Sequence, residues 1–235
     1  MGTRWTASTG MVLLLLPAGQ TWGLPFDVSA NGAVAVGASS PGTGERATRW
    51  TTSRAEVLAG MPAGRSRAWA ANADGTVIAG SVEGATSDET EVFRWTEAGG
   101  FERLGDLPGG PVNASVAGIS ADGSIIAGNG VGTSGLAEGF LWDAAHGFRT
   151  LKDILTASGI DTGSTRFFIG GLSADGSTVV GGTNDSRAFV AVIPEPAGPA
   201  TGVLVLGMMA SRRRGRRAGR GTAGRVTSNC LPSAE

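Results

Sequence analysis

Acid–base and metal chemistry have few places to sit in this chain. Its 235 residues include one histidine, His146, and one cysteine, Cys230. A single imidazole leaves room for one histidine general base and excludes multi-histidine zinc sites. A single thiol excludes an internal disulfide and a cysteine-built metal site. His146 stands in Asp143-Ala-Ala-His-Gly147, which reads as a solvated turn between two strands. Cys230 lies close to the end and reads as incidental. Asp74, Asp122 and Asp175 each precede a glycine, with Asn31 in the matching place of an earlier copy. Such carboxylates on one rim could offer oxygen to calcium. No D-x-D-x-D spacing accompanies them, and the turn preference of Asx-Gly accounts for them without a ligand. Gly130-Val-Gly-Thr-Ser-Gly135 has the form of a dinucleotide fingerprint. It leads into Leu136–Trp142, a strand pattern rather than a helix, so it reads as an inter-strand loop. Trp5, Trp50, Trp95 and Trp142 could stack on sugars; recurring at a fixed strand position, they read as core. The expectation is no catalytic residue, no cofactor site and no metal site.

The composition agrees. Glycine makes up 40 of the 235 residues and proline 10. So much glycine disfavours a mainly helical protein, since each interior Gly costs roughly 1 kcal/mol against Ala. The hydrophobic fraction of 41% still permits a core. The formal charge of -1 hides a split. Residues 211–235 hold seven Arg and one Glu, whereas residues 1–210 hold 12 basic and 19 acidic groups. An acidic body with a basic tail argues against nucleic acid as a partner of the body.

The elements that must position these residues come as an array. Val28-Ser-Ala-Asn-Gly-Ala-Val-Ala-Val-Gly37, Ala71-Asn-Ala-Asp-Gly-Thr-Val-Ile-Ala-Gly80, Ile119-Ser-Ala-Asp-Gly-Ser-Ile-Ile-Ala-Gly128 and Leu172-Ser-Ala-Asp-Gly-Ser-Thr-Val-Val-Gly181 share one pattern. Their turn glycines, Gly32, Gly75, Gly123 and Gly176, are spaced 43, 48 and 53. Asx-Gly between apolar runs predicts a two-residue hairpin turn. The run Ser124–Gly128 is apolar on both sides and predicts a strand covered on both faces. Phe93-Arg-Trp-Thr96 alternates as a third strand, and Glu102–Leu107 reads as a fourth. Four strands in ~45 residues is the size of a propeller blade. The period favours a propeller over a β-sandwich. Leu151–Leu155 reads as about one helical turn. Arg4-Trp5-Thr6, Gly10-Met11 and Leu16-Pro-Ala-Gly19 copy the second half of a later unit. Met11–Leu16 is therefore expected to be strand rather than a signal peptide, with its leucines buried and Trp5 packed like Trp50. This half unit could also pair with the last partial unit to close a ring, and an export signal is expected upstream of Met1. The expected organisation is an all-β, propeller-like array of about four blades over 1–193. It comprises a partial unit (1–19), units 20–64, 65–110 and 111–155, and a partial unit (165–193).

These strings resemble the bacterial HAF-type extracellular repeats, over roughly residues 1–192. The resemblance implies export and a propeller-like fold, and it supplies no catalytic residue.

A second cassette follows. Pro194-Glu195-Pro196 precedes Gly198–Ala210, thirteen residues without charge. As a helix those thirteen span about 20 Å, short of the ~30 Å hydrocarbon core. Arg212, Arg213, Arg214, Arg216 and Arg217 come next and would stop translocation at an anionic cytoplasmic face. The order resembles the PEP-CTERM sorting signal of Gram-negative bacteria. It implies a sorting and anchor segment over 194–217, with a short transmembrane-like helix and Pro194, Glu195 and Pro196 as the recognised motif. Residues 218–235 are expected to be a disordered basic tail. The implied partner is an exosortase-like enzyme, with the inner membrane as a transient anchor. Exopolysaccharide or envelope components are further partners. The expectation is an exported non-enzymatic protein at the cell surface or in the extracellular matrix. The alternative is a carbohydrate-active enzyme or glycan-binding module on a propeller scaffold.

Overall fold

A computed structural model describes residues 2–193; Pro194–Pro196 and the arginines of the C-terminal cassette lie outside the described residues. Within them the chain runs as antiparallel meanders. An N-terminal pair comprises β1 (Thr3–Thr6) and β2 (Gly10–Leu13). Sheet I holds β3 (Trp22–Val28), β4 (Ala35–Ser40), β5 (Arg46–Trp50) and β6 (Ala55–Val57). Sheet II holds β7 (Ser66–Ala71), β8 (Val77–Glu83), β9 (Thr90–Thr96) and β10 (Gly100–Gly105). Sheet III holds β11 (Ala114–Ile119), β12 (Ile125–Val131), β13 (Ala137–Asp143) and β14 (Gly147–Thr150). After α1 (Leu151–Ala157), sheet IV holds β15 (Phe167–Leu172), β16 (Thr178–Thr183) and β17 (Ala188–Val192). The expected units of four strands are present as three complete sheets, flanked by a two-stranded and a three-stranded one.

The core is three interfaces between successive sheets rather than one centre. Val34, Val36, Ala47 and Leu58 of sheet I face Ile78, Phe93 and Trp95 of sheet II. Ala79, Val92 and Leu107 face Ile126, Phe140 and Trp142 of sheet III. Ala127 and Leu141, with Leu151, Ile154 and Leu155 of α1, face Phe167, Val179 and Phe189 of sheet IV. Each sheet thus turns its aromatic side toward the preceding sheet and a smaller aliphatic side toward the following one. α1 is capped by Thr150, whose hydroxyl accepts from the Asp153 amide at 3.0 Å. It is seven residues long, longer than the single turn expected.

The first strand of each of sheets I to IV carries one extra residue: Phe26, Trp69, Ala117 and Gly170. These bulges explain the glycine ending each repeat motif. A Cβ on Gly80 would lie 2.1 Å from the Arg67 carbonyl oxygen and 2.5 Å from the Phe93 ring. Gly37, Gly128 and Gly181 meet the same obstruction from the preceding strand.

The hairpin tips differ from the two-residue turn expected. Only the glycine has positive φ, near 70°, and the Asx residue does not. The turn is closed one step wider, by amides of Gly32, Gly75, Gly123 and Gly176 donating to carbonyls of Ser29, Asn72, Ser120 and Ser173. The side chains specify it. Ser120 Oγ donates to Asp122 Oδ1 at 2.6 Å and accepts from the Ile125 amide at 2.9 Å. Ser29 and Ser173 repeat this arrangement, and Asn72 Oδ1 takes over the acceptor role at 2.9 Å from the Val77 amide. Adjacent tips are tied together: Asn31 donates to Ala73, Ala73 to Ala121, and Ala121 to Ala174, all through the main chain. Gly75, Gly123 and Gly176 rest on Val34, Val77 and Ile125 of the preceding tips.

The N-terminal segment forms a hairpin, as its likeness to the third and fourth strands requires, but its side chains are not buried. Trp5 is 68% exposed and Met11 73%, against 2% for Trp50 and 3% for Trp95. Leu13 and Leu15 are also exposed. Arg4 Nη1 reaches Thr52 of sheet I at 3.1 Å, so Trp5, next along the strand, turns away from that sheet. No described sheet lies on that side to cover it. The hairpin also does not pair with sheet IV. The expected closure of start onto end is absent among the described residues.

Candidate functional site

One residue before each strand-three tryptophan sits Arg4, Arg49, Arg94 or Leu141. At the boundary of sheets I and II this position builds a closed joint. Arg49 lies over Trp95 at 4.7 Å and bridges Glu97 of sheet II at 3.2 Å as well as Glu56 of its own sheet. Arg54 completes the network, 3.0 Å from Glu56 and 3.5 Å from Glu97. The guanidinium is held above its ordinary pKa: burial works against the charge, and the two glutamates outweigh it.

The same rim is open between sheets II, III and IV, where a cleft of about 620 Å³ is found. Two small residues at repeat positions make it. Ala144 stands where sheet II has Glu97, and Ala191 stands where the other sheets have tryptophan. The floor is apolar, with Leu141, Trp142 and Ile193. Arg94 and Arg149 supply positive charge, and Glu102, Asp122, Asp143 and Asp175 negative. Arg94 is only loosely paired, 3.9 Å from Glu102. Arg149 Nη2 is 2.6 Å from Asp143, while its Nε is buried with no hydrogen-bond partner in the protein.

The three aspartates are committed to the fold. Asp175 is held at about 2 by hydrogen bonds from Ser173 and Ser177. Asp122 is held down in the same way by Ser120 and Ser124. Burial pushes Asp143 up, but hydrogen bonds from His146 and the charge of Arg149 leave it below its ordinary value. His146, read as a turn residue, does sit between β13 and β14, its Nδ1 2.8 Å from Asp143. The tryptophan reading holds for Trp50, Trp95 and Trp142, which are buried, and fails for Trp5. Gly130-Val-Gly-Thr-Ser-Gly135 forms the end of β12 and the loop to β13, with no helix following. Among the described residues, no group of three or more potential metal ligands converges.

Two features were missed by sequence reasoning. The residue after each strand-three tryptophan closes the next turn with its side chain: Thr6, Thr51, Thr96 and Asp143 accept from amides three residues on, at 2.9–3.2 Å. The repeated Trp-Thr pair was its trace. The first strands of all four large sheets also converge on an opening of about 330 Å³, beside which Phe26 and Trp69 stack at 4.6 Å. The bulge that aims those rings leaves no mark in periodicity. Among the described residues, no helix is long and apolar enough to cross a membrane.

No protein-family model matches this chain, and no curated protein does. Solved structures match at the level of fold. A putative TolB from Agrobacterium tumefaciens gives a TM-score of 0.56 at 12% identity, over 87% of this chain and 72% of that one. A structure from a study of two prolyl endopeptidases gives 0.53 at 13% identity, over 89% of this chain and 33% of that one. TolB from Acinetobacter baumannii gives 0.49 at 16% identity, over 74% and 40%. The chain thus spans 40% of the length of the Acinetobacter TolB and 33% of the endopeptidase. At such identities the likeness concerns fold alone: this is a mostly β protein of repeated antiparallel sheets with propeller-like neighbours.

Proposed function

We propose that the chain is an exported, non-enzymatic repeat protein of propeller-like build. In this reading an exosortase-like system delivers it to the cell surface or the extracellular matrix. Residues 194–217 anchor it transiently in the inner membrane, and its body meets exopolysaccharide or envelope components. One observation carries the reading. Pro194-Glu195-Pro196 comes one residue after the last strand of the array, and an uncharged stretch and then an arginine cluster come after it in order. The non-enzymatic part draws support from the sequence, which offers a single imidazole and spends its recurring aspartates on turns. The experiment replaces Pro194-Glu195-Pro196 with alanines in a host that has the sorting enzyme. The variant is expected to keep its full mass and stay in the inner membrane while the parent is processed and leaves it. Equal masses and equal distribution would overturn the reading.

The alternative, a glycan-binding module, is favoured by the cleft between sheets II, III and IV. An apolar floor with a tryptophan edge, two arginines and ionised carboxylates matches the mixed demands of a sugar ring. Binding to a glycan panel that is lost in Arg149→Ala would favour it, and hydrolysis of a polysaccharide by the parent would point instead to an enzyme.

A further inference from the structure

The two ends of the array are opposite halves of one kind of joint. On the N-terminal pair, Trp5 and Met11 are register partners, as are Thr3 and Leu13, so the three large side chains share one face. All three are exposed. This is the aromatic side that sheets II, III and IV each turn toward a preceding sheet. On sheet IV, Val180 pairs with Val190 and Thr178 with Val192. Val179, Phe189 and Ala191 point into the joint with sheet III, so Val180, Val190 and Val192 occupy the opposite face. They are exposed too. That is the small aliphatic side, filled in sheets I and II by Val36 and Ala47 or by Ala79 and Val92. Three times within the chain, a small aliphatic face is covered by the aromatic face of the next sheet. At the two ends the same two faces stand unpartnered among the described residues.

A second feature acts in the same direction. Within the described residues β17 pairs only with β16, and its other edge is unpaired. Its sequence, Ala-Phe-Val-Ala-Val, has no charge and no proline to discourage strand addition.

We propose that copies of this chain associate head to tail, the β1–β2 face of one copy packing on the β15–β17 face and edge of another. The occupant of each end is thus the other end of a second copy, because the joint required is the one the chain already makes internally. Such a contact is heterologous, and each copy uses two different surfaces. This goes beyond the sorting reading and does not rest on it.

The test uses the full chain with Cys230→Ser, in a mild detergent that shields residues 198–210, and reads mass by light scattering. Two variants each block one end: Trp5→Glu with Leu13→Glu, and Val180→Glu with Val190→Glu. The parent is expected to double in mass or grow further as concentration rises, while each variant alone stays at single-chain mass. An equal mixture of the two should reach twice that mass and stop, because each supplies one intact end. A parent that stays single at every concentration overturns the proposal. So does association that survives in both variants, which would belong to residues outside the array. A mixture that stays single while both variants fold also overturns it. Circular dichroism checks folding. Should a glutamate variant unfold, Leu13→Cys mixed with Val190→Cys gives the same decision: disulfides joining unlike chains support the proposal, and disulfides only between like chains refute it.

Discussion

Trp95 and Trp5 occupy the same place in their repeats, and only one of them is buried. Trp95 is sealed by the sheet before it, donates its indole N–H to the Ala59 carbonyl at 3.0 Å and carries Arg49 on its ring. Trp5 faces the same way and meets solvent. In an array of this kind, burial belongs to the joint and not to the residue. A repeat motif says which face a side chain occupies; the neighbouring sheet decides whether that face is core. The same holds for the rim. The joint of sheets I and II is locked by four charged side chains, and the joints flanking sheet III are open because Ala144 and Ala191 are short.

The largest effect is expected where the bulge of one strand presses on the next. Gly80→Val places carbon 2.1 Å from the Arg67 oxygen and should cost about 4 kcal/mol or more, abolishing cooperative unfolding. Gly170→Ala has nothing nearer than 3.8 Å and should change stability by less than ~0.5 kcal/mol in guanidinium titrations. If the two behave alike, the bulge account of these glycines is wrong.

Trp95→Ala removes a side chain that is 3% exposed and should cost about 3–5 kcal/mol. Trp5→Ala in dilute solution should cost less than ~0.5 kcal/mol. Equal losses would break the contrast between sealed and open joints.

Next comes the charged lock. Arg49→Ala should cost about 1–2 kcal/mol, since the partner Glu97 is largely exposed and most of the loss is the contact over Trp95. Ala144→Glu gives Arg94 the partner that Arg49 has and should gain less than ~1 kcal/mol, a gain that added salt reduces. Thermal melts at two salt concentrations measure both.

The smallest effect is a titration. Asp175 has a depressed pKa of about 2, so its contribution to stability is present above the ordinary carboxylate pKa. That contribution fades as pH falls from about 4 through 2. Ser173→Ala removes the leading cause and should raise the Asp175 pKa toward 3.8, followed by the carboxyl carbon shift in NMR. An unchanged titration would dissociate the serine from the turn.

Much of this was legible from spacing. Asx-Gly located every first hairpin, and the alternation around Phe93-Arg-Trp95 located the third strands. The run Ser124–Gly128 marked a strand covered on both sides, and of it Ile126, Ala127 and Gly128 are buried. The misses have one origin: they depend on partners remote in sequence. The exposure of Trp5 depends on the position of the neighbouring sheets, none of which covers it among the described residues. The need for Gly80 depends on a bulge at Trp69 across the strand pair. The rim cleft depends on what Ala144 and Ala191 fail to fill. Pro194–Pro196 and Arg212–Arg217 were legible only as a motif and lie outside the described residues.

The two kinds of connection have different freedom to change. Each strand-three tryptophan is followed five residues later by the start of the fourth strand, at Gly10, Ala55, Gly100 and Gly147 alike. The Asx-Gly tips are equally constant, and antiparallel order puts both kinds of turn on one side. The increase in repeat spacing from 43 to 48 to 53 is taken up on the other side, in the β8–β9 connection, the longer β10, and the α1 segment before β15. Tip glycines resting on the neighbouring sheet oppose lengthening on the first side, whereas the second has absorbed it in every repeat. The molecule therefore has a side that keeps its geometry and a side that can accept new material. A foreign epitope or enzyme grafted into the β12–β13 loop would be displayed there while the sheets stay in register.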